Sequence, residues 1–529
     1  MRRPLTLLIF IVVLRASVGF ADTHYVSKTG LDEYPYTSWA TAADSIQKGI
    51  DAASAGDTVR VAAGTYREIV MMIPGIVLLG AGMDSSIIYP YTNSGGDIVY
   101  GQDSSVIEGF HIRGWDPVGG DFCVGIYNSV DSKLKRIRNN KITECDGGIY
   151  QAWVTTEVSN NIIDDNRTGI RSDIFDKSSI ISNTMVNNHC AIDLFSASSP
   201  EIIRNLISNT TTYAIHGDFS DSLLIENNLV VVGEHYGISL INYGGEFKNA
   251  PIRNNTLIGD SVPFTGYYPH VVGIAGFSNE IKNNVISGGY YGVVASSYDG
   301  YDSNPQVSYN DLWGNVENYQ VYGSGSIDTS LGGNIYVDPM FIGGDNYHLQ
   351  YGSPCIDAGD PDTKDPDSSR SDIGCYGGAW GETYTYQDYP PRAPDSLTAT
   401  SSESVLVLSW KPNTEYDLSH YLVYKDTLGE FIPDSLKIVG EVPKDSSVFR
   451  DYDFVLGETY YYRLSAWDMT GNESDYSDEL AVSATDVGDF TEEGPPMPRM
   501  YQVRQNYPNP FNPSTTIVYH LPDVGYQPA

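Results

Sequence analysis

Basic residues are scarce in this chain: 31 Lys and Arg stand against 67 Asp and Glu, for a formal net charge of −36. Phosphate binding needs a Lys/Arg surplus, so nucleic acid is excluded as a partner. Five cysteines among 529 residues are too few for a disulfide scaffold, and none has the Cys-x-x-Cys spacing of a zinc knuckle or redox motif. Beyond the N-terminus no apolar run approaches the roughly 20 residues that cross a bilayer as a helix, so no transmembrane segment is expected. What the chain has instead is 52 glycines and 40 tyrosines against nine methionines, which favours turn-rich β structure over helix bundles. Hydrophobic residues make up 41%, enough for packed cores, and this excludes disorder of the whole chain.

The first residues bear on the compartment. Arg2 and Arg3 precede an apolar run from Leu5 to Leu14, and Gly19-Phe20-Ala21 supplies small residues at an exit site. That is the layout of a secretory signal peptide over residues 1–21, and an exported chain is expected. In an oxidising compartment Cys355 and Cys375, flanking one polar loop, could bridge. Cys123, Cys145 and Cys190 fall inside repeats and are expected as buried small hydrophobes.

The middle of the chain is periodic. Asn-x-apolar steps recur at Asn140-Lys141-Ile142, Asn161-Ile162-Ile163, Asn183-Thr184-Met185, Asn205-Leu206-Ile207 and Asn228-Leu229-Val230. They continue at Asn255-Thr256-Leu257, Asn284-Val285-Ile286 and Asn310-Asp311-Leu312, with gaps of 21, 22, 22, 23, 27, 29 and 26 residues. A second series runs in step: Gly125-Ile126, Gly148-Ile149, Gly169-Ile170, Ala191-Ile192, Ala214-Ile215 and Gly237-Ile238. Two features locked to one period mark a solenoid. Each period holds short apolar-alternating runs broken by Gly, Asn, Asp and Ser, and none is long enough for a helix. The predicted fold is therefore all-β: a right-handed parallel β-helix, with strands of successive coils about 4.8 Å apart. The recurring Asn is expected to form an amide ladder at one turn of each coil.

Earlier coils are visible at Thr58–Val61, Ile76–Leu79 and Val106–Ile112. Before them, Ala42–Ala53 places Ile46, Ile50 and Ala53 on one helical face, which predicts an N-terminal helical cap over the open first coil. The segment SIQKGIDAASAGDTVRVAAGTYRE resembles the opening of secreted pectin-lyase-like β-helix proteins, and the Asn-x-Ile coils resemble their repeats. SPCIDAGDPD followed by DIGCYGG resembles the closing segment of bacterial surface β-helix proteins. Together these resemblances cover residues 22–380. They imply the fold but not the reaction, because such proteins include lyases, hydrolases, esterases and inert adhesins.

Two further modules follow. Residues 391–486 read as seven short strands, with Trp410 early, Tyr421-Leu422-Val423-Tyr424 next and Leu456…Tyr460…Ala466 late. That pattern resembles a fibronectin type III sandwich with Tyr460 as its tyrosine corner. Residues 487–500 are acidic and Pro-rich, a linker by composition. QNYPNPFNPSTTIVYHLP, within residues 501–529, resembles the start of the sorting domain by which a type IX secretion system exports proteins and attaches them to the cell surface. The resemblance implies that machinery as a partner and an outer-surface location; the family's domain continues for several more strands, so the signal is partial.

With the Ile of each Gly-Ile step pointing inward, strand alternation predicts an outward column of Tyr127, Tyr150, Arg171, Asp193, His216 and Ser239. Two residues further on, the same face carries Ser129, Ala152, Asp173, Phe195, Asp218 and Ile241. Arg171, Asp173, Asp193, His216 and Asp218 would then form one patch, with carboxylates roughly 5–7 Å apart. Paired carboxylates at such separations suit glycoside hydrolysis. Alternatively they hold Ca²⁺ against a uronate while Arg171 or His216 handles the proton α to it. Tyr127 and Tyr150 are expected to offer apolar faces to sugar rings. The plainer alternative is a solvated polar face. The paired-Asp, Gly-His-Gly and Arg-x-Lys motifs of polygalacturonase relatives are absent, and His189, His216 and His235 are too irregularly spaced to suggest copper or zinc. Asp360, Asp362, Asp365 and Asp367 alternate with Pro and Gly as a candidate Ca²⁺ loop, or a solvated acidic loop. The expected function is binding or processing of extracellular polysaccharide or a cell-surface glycan. A lyase or glycoside hydrolase and a non-catalytic adhesin or surface stalk both remain open.

Overall fold

Three inward apolar residues per period close each coil around a continuous core. In a computed structural model of the chain, the residues described are 21–90, 96–114, 122–130, 133–196, 200–218, 223–233, 235–241, 250–259, 270–275, 279–297, 302–402 and 404–483, with the backbone of 502–503 and 519–520. One coil turns in Val158, Ile163 and Ile170, and the next Ile180, Met185 and Ile192, all fully buried. Each such side chain contributes about 2–3 kcal/mol on leaving water. Among the described residues the coils stack into three parallel sheets of twelve, eleven and eleven strands. The first runs from Thr23–Val26 to Gln306–Ser308, the second from Gly64–Arg67 to Asp311–Trp313 and the third from Val70–Met71 to Glu317–Tyr322.

The turn between the first and second sheets carries the expected amide ladder. Asn161 Oδ1 accepts from the backbone N–H of Asn140 at 3.0 Å and from its Nδ2 at 3.2 Å. The same two bonds repeat from Asn161 to Asn183, Asn205, Asn228, Asn255, Asn284, Asn310 and Asn334. The residue before each ladder Asn turns the corner in the left-handed region, as at Asn227 (φ 55°), Asn254 (φ 49°) and Asn283 (φ 57°). Asn tolerates that conformation, which explains the doubled Asn-Asn steps. In the third sheet the Gly-Ile step is tight, since a Cβ on Gly169 would lie 2.6 Å from the Ala191 carbonyl oxygen.

A helix over Ile46–Ala52 covers the first coil, with Ile46 and Ile50 fully buried. It is shorter than the predicted Ala42–Ala53 because Ala43 instead bridges to Val26 of the first strand, and Ser45 caps the N-terminus. The buried Glu68 carboxylate accepts from the backbone N–H groups of Ile46 and Gln47 at 2.8 and 3.0 Å, where the helix dipole favours negative charge. At the other end, residues 355–378 run back along the ladder turn as a strap. Asn283 Oδ1 accepts from Asp360 N at 2.7 Å, Asn254 donates to Ser371, and Asn227 donates to the carbonyls of Cys375 and Gly377.

The strap separates Cys355 from Cys375. All five cysteines are free and buried; the Cys355 thiol donates to Asp311 Oδ2 at 3.3 Å, and Cys375 N donates to Thr256. The bridge considered from sequence is therefore not formed.

The compact units are residues 1–389 and 390–529. Within the second, residues 395–483 form two antiparallel sheets. One comprises Asp395–Ser401, Leu406–Lys411 and Val448–Asp451, and the other Ile438–Pro443, Leu418–Asp426, Thr459–Asp468 and Leu480–Ser483. Leu406, Leu408 and Trp410 from one sheet share a core with Tyr421, Val423 and Leu464 from the other, which makes a sandwich. Tyr460 Oη accepts from Val455 N at 2.9 Å. Residues 1–20 of the predicted signal peptide and the linker 487–500 lie outside the described residues. So does the sorting segment, apart from Gln502–Val503 paired antiparallel with Tyr519–His520. Among the described residues no helix is long and apolar enough to cross a membrane.

Candidate functional site

The third sheet aligns the predicted columns. Its register pairs Tyr127 with Tyr150, Tyr150 with Arg171, Arg171 with Asp193 and Asp193 with His216. The second column pairs Asp173 with Phe195 and Phe195 with Asp218. Ile149, Ile170, Ile192 and Ile215 point inward and are fully buried, so the residues that follow them face out.

The five residues meet in a row in which carboxylates alternate with Arg171 and His216. Arg171 Nε donates to Asp173 Oδ1 at 3.0 Å, and its Nη1 to Asp193 Oδ2 at 3.3 Å. His216 Nδ1 lies 3.0 Å from Asp193 Oδ1, and Nε2 lies 3.5 Å from Asp218 Oδ1. The carboxylates do not face one another directly, because a basic side chain stands between each pair. Asp218 Oδ1 is buried without a hydrogen-bond partner among the described residues, so the 3.5 Å approach of His216 is an ion-pair distance lacking hydrogen-bond alignment. Burial raises the Asp218 carboxyl above its ordinary value, against the pull of His216 and with a further push from Asp193.

Arg171, Asp193, His216 and Asp218 line a groove of about 410 Å³ together with Tyr150, Arg167, His189, Phe195 and Tyr213. Tyr127 and Tyr150 stand beside the row, each with one face turned to the other. Their rings stack on each other with centroids 5.2 Å apart and planes 8° apart, and Tyr100 closes on Tyr127 at 6.0 Å. Stacking along the solenoid axis uses the faces internally and leaves ring edges outward. Burial and the neighbouring Asp173 push the Tyr150 hydroxyl up to about 12.

Two aromatic residues that the column reading passed over lie just past the strand ends. Trp153 and Phe175 remain 47% and 56% exposed, with ring centroids 4.4 Å apart. Their signal in the sequence was a large aromatic one position after Ala152 and two after Asp173, where the chain leaves the sheet.

The acidic loop does not gather its carboxylates. Asp360 Oδ2 pairs with Lys282 Nζ at 2.8 Å, while Asp360 Oδ1 accepts from Asp362 N. Asp365 accepts from the backbone N–H groups of Asp372 and Gly378, and Asp367 from Ser369. Among the described residues, no three of Asp360, Asp362, Asp365 and Asp367 converge as a ligand set. They tie the strap's own turns together and fix it to Lys282.

Residues 96–257 match the family described as the right handed beta helix region. With the three parallel sheets, this defines the class: a right-handed parallel β-helix protein. No curated protein matches the chain. Among solved structures, the A-module of the mannuronan C-5 epimerase AlgE4 from Azotobacter vinelandii is 16% identical, with 58% of this chain covering 94% of that one at a TM-score of 0.38. The FN1–FN3 domains of chicken CNTN1 are 17% identical over 20% of this chain, at a TM-score of 0.17; this chain spans 35% of their length. A fibronectin type III domain from the human KIAA0970 protein is 14% identical, with 19% of this chain covering 80% of that one at a TM-score of 0.16.

Proposed function

We propose that this chain is an exported, surface-attached protein that binds and processes extracellular polysaccharide in the groove of the third sheet. The observation that carries the reading is the row Asp173, Arg171, Asp193, His216, Asp218 along one face, with Asp218 half-buried and its Oδ1 without a hydrogen-bond partner among the described residues. Arg171 holds Asp193, and Asp193 orients His216 as a carboxylate orients an imidazole in an acid–base pair. His216 turns Nε2 toward Asp218, whose carboxyl is raised above its ordinary value by burial and stands as the candidate proton donor to a glycosidic oxygen. In hydrolysis the Asp218–His216 pair gives a proton to the leaving oxygen, and the proton released when water adds at the anomeric carbon returns to that pair. In β-elimination the imidazole would instead take the proton α to a uronate carboxylate. A binding role without turnover is favoured by one observation: Arg171 already commits Asp173 and Asp193 to ion pairs.

The setting rests on motif resemblance. Arg2-Arg3 with the apolar run supports export, and QNYPNPFNP supports attachment through type IX secretion machinery. The sandwich of three and four strands, with Val455 N bonded to the Tyr460 hydroxyl, supports a fibronectin type III spacer. The test is a panel of polysaccharides incubated with the protein, with Ca²⁺ and with EDTA, and followed for new reducing ends and for the ultraviolet absorbance of unsaturated uronates. Product that disappears in His216→Asn supports an enzyme, and a Ca²⁺ requirement would assign the cation a role. Binding without product supports an adhesin, and neither across the panel overturns the reading.

A further inference from the structure

At the end of the third sheet beside the charged row, two exposed aromatics occupy left-handed corners. Trp153 (φ 60°) and Phe175 (φ 56°) sit in the left-handed region, which bulky side chains rarely adopt, and Ile174, just before Phe175, has φ 22°. Their backbones are laced to the groove: Trp153 N donates to the Ile174 carbonyl, and Ile174 N to the Phe195 carbonyl. Phe195 lines the groove, with the Arg171 guanidinium 5.8 Å from its ring centroid. Behind the turn, Asp176 is fully buried and accepts from Ser178 N at 2.9 Å, from Ser178 Oγ at 2.5 Å and from Ser172 Oγ. Ser172 stands between Arg171 and Asp173, so one buried carboxylate grips both the charged strand and the aromatic turn. An exposed aromatic pair held in a strained turn gains little from its own packing, and such features mark binding sites.

Charge selects among the occupants. The groove lining holds Asp146, Asp193 and Asp218 against Arg167 and Arg171, with Asp173 alongside, and the chain carries a net −36. Arg171 is already spent on Asp173 and Asp193, and His189 and His216 stand among the carboxylates, so the lining is close to charge balance. A polyanion finds no net attraction here, whereas an uncharged sugar meets hydrogen-bonding groups beside aromatic rings. We propose that the groove takes an uncharged polysaccharide, one ring of which stacks on the Trp153–Phe175 pair. This deepens, and rests on, the reading of the groove as a polysaccharide site. A neutral polymer has no uronate carboxylate, so the reaction in the groove is hydrolysis and not β-elimination.

The test measures binding of the full chain to neutral polymers (a β-glucan, a xylan, a mannan) and to polyuronates (alginate, polygalacturonate) by calorimetry. It uses wild type, Trp153→Asn and Phe175→Asn. Asn suits the left-handed backbone, so both variants should melt no lower than wild type while losing about tenfold in affinity for the bound neutral polymer. A platform that served only stability would give the opposite pattern, a lower melting temperature with affinity intact, and would overturn the proposal. Preferential binding or cleavage of polyuronates would also overturn it while leaving the groove's polysaccharide role standing. No binding to either class would remove both.

Discussion

In the ladder turn, each coil from Asn140 to Asn334 supplies the same residue, and each amide makes the same bonds to the coil beside it. On the outer face of the third sheet, the same coils supply Tyr, Tyr, Arg, Asp, His and Ser in one column. The ladder is uniform because every coil presents the same buried backbone groups at that corner, and a single amide satisfies them each time. The outer column is free of that demand, since water satisfies whatever faces it. Departure from repetition is therefore informative there: a row of ion-paired side chains and two strained aromatics stand where any polar residue would fold as well.

That contrast can be broken from either side. The largest effect is expected in the ladder. Asn205 donates to the Ile180 carbonyl at 2.8 Å and to Asn228 Oδ1 at 3.0 Å, and accepts from Asn183 N at 2.9 Å. Asn205→Ala should orphan several buried groups and cost about 5 kcal/mol, read from chemical denaturation.

Next comes a pH dependence in the buried end of the solenoid, where burial pushes Asp311 up to about 7 and Asp372 up to about 6. The folded state holds these protons at pH values where the unfolded chain, near 3.8, has released them. Stability should therefore fall as pH rises from about 4 to about 7 and level off above, by up to about 4 kcal/mol for Asp311. Asp311→Asn should flatten most of that slope and leave the smaller part due to Asp372.

On the groove side, Asp218→Asn should cut turnover about a hundredfold by removing the acid. Its stability should stay within about 1 kcal/mol of wild type, because Asp218 Oδ1 makes no hydrogen bond and gives up only a 3.5 Å, partly exposed ion pair with His216. The smallest effect belongs to the strap: Lys282→Ala removes ion pairs to Glu280 and Asp360, each partly exposed, and should cost about 1 kcal/mol in a melting experiment.

The same contrast explains what could be read in advance. Asn161, Ile163 and Ile170 recur at a fixed period, and periodicity carries register, so the sequence placed Arg171 over Asp193 and Asp193 over His216. It did not show that Tyr127 and Tyr150 stack on each other, since the direction of a ring depends on its neighbours in space. The strap was also hidden. Its partners Asn227, Asn254 and Asn283 look in sequence like ordinary turn residues, and only the folded chain brings Gly377, Ser371 and Asp360 beside them. Cys355 faces Asp311 and not Cys375 for the same reason. Trp153 and Phe175 escaped because strand alternation stops at the strand end.

The central claim is that the row joining Asp173 to Asp218 acts on polysaccharide. Its most direct test is turnover of the preferred polymer by wild type and His216→Asn at equal folded concentration, with binding measured on the same samples. The account expects the variant to bind the polymer within a few fold of wild type and to release new reducing ends about a hundredfold more slowly. Equal turnover by the two proteins would contradict it.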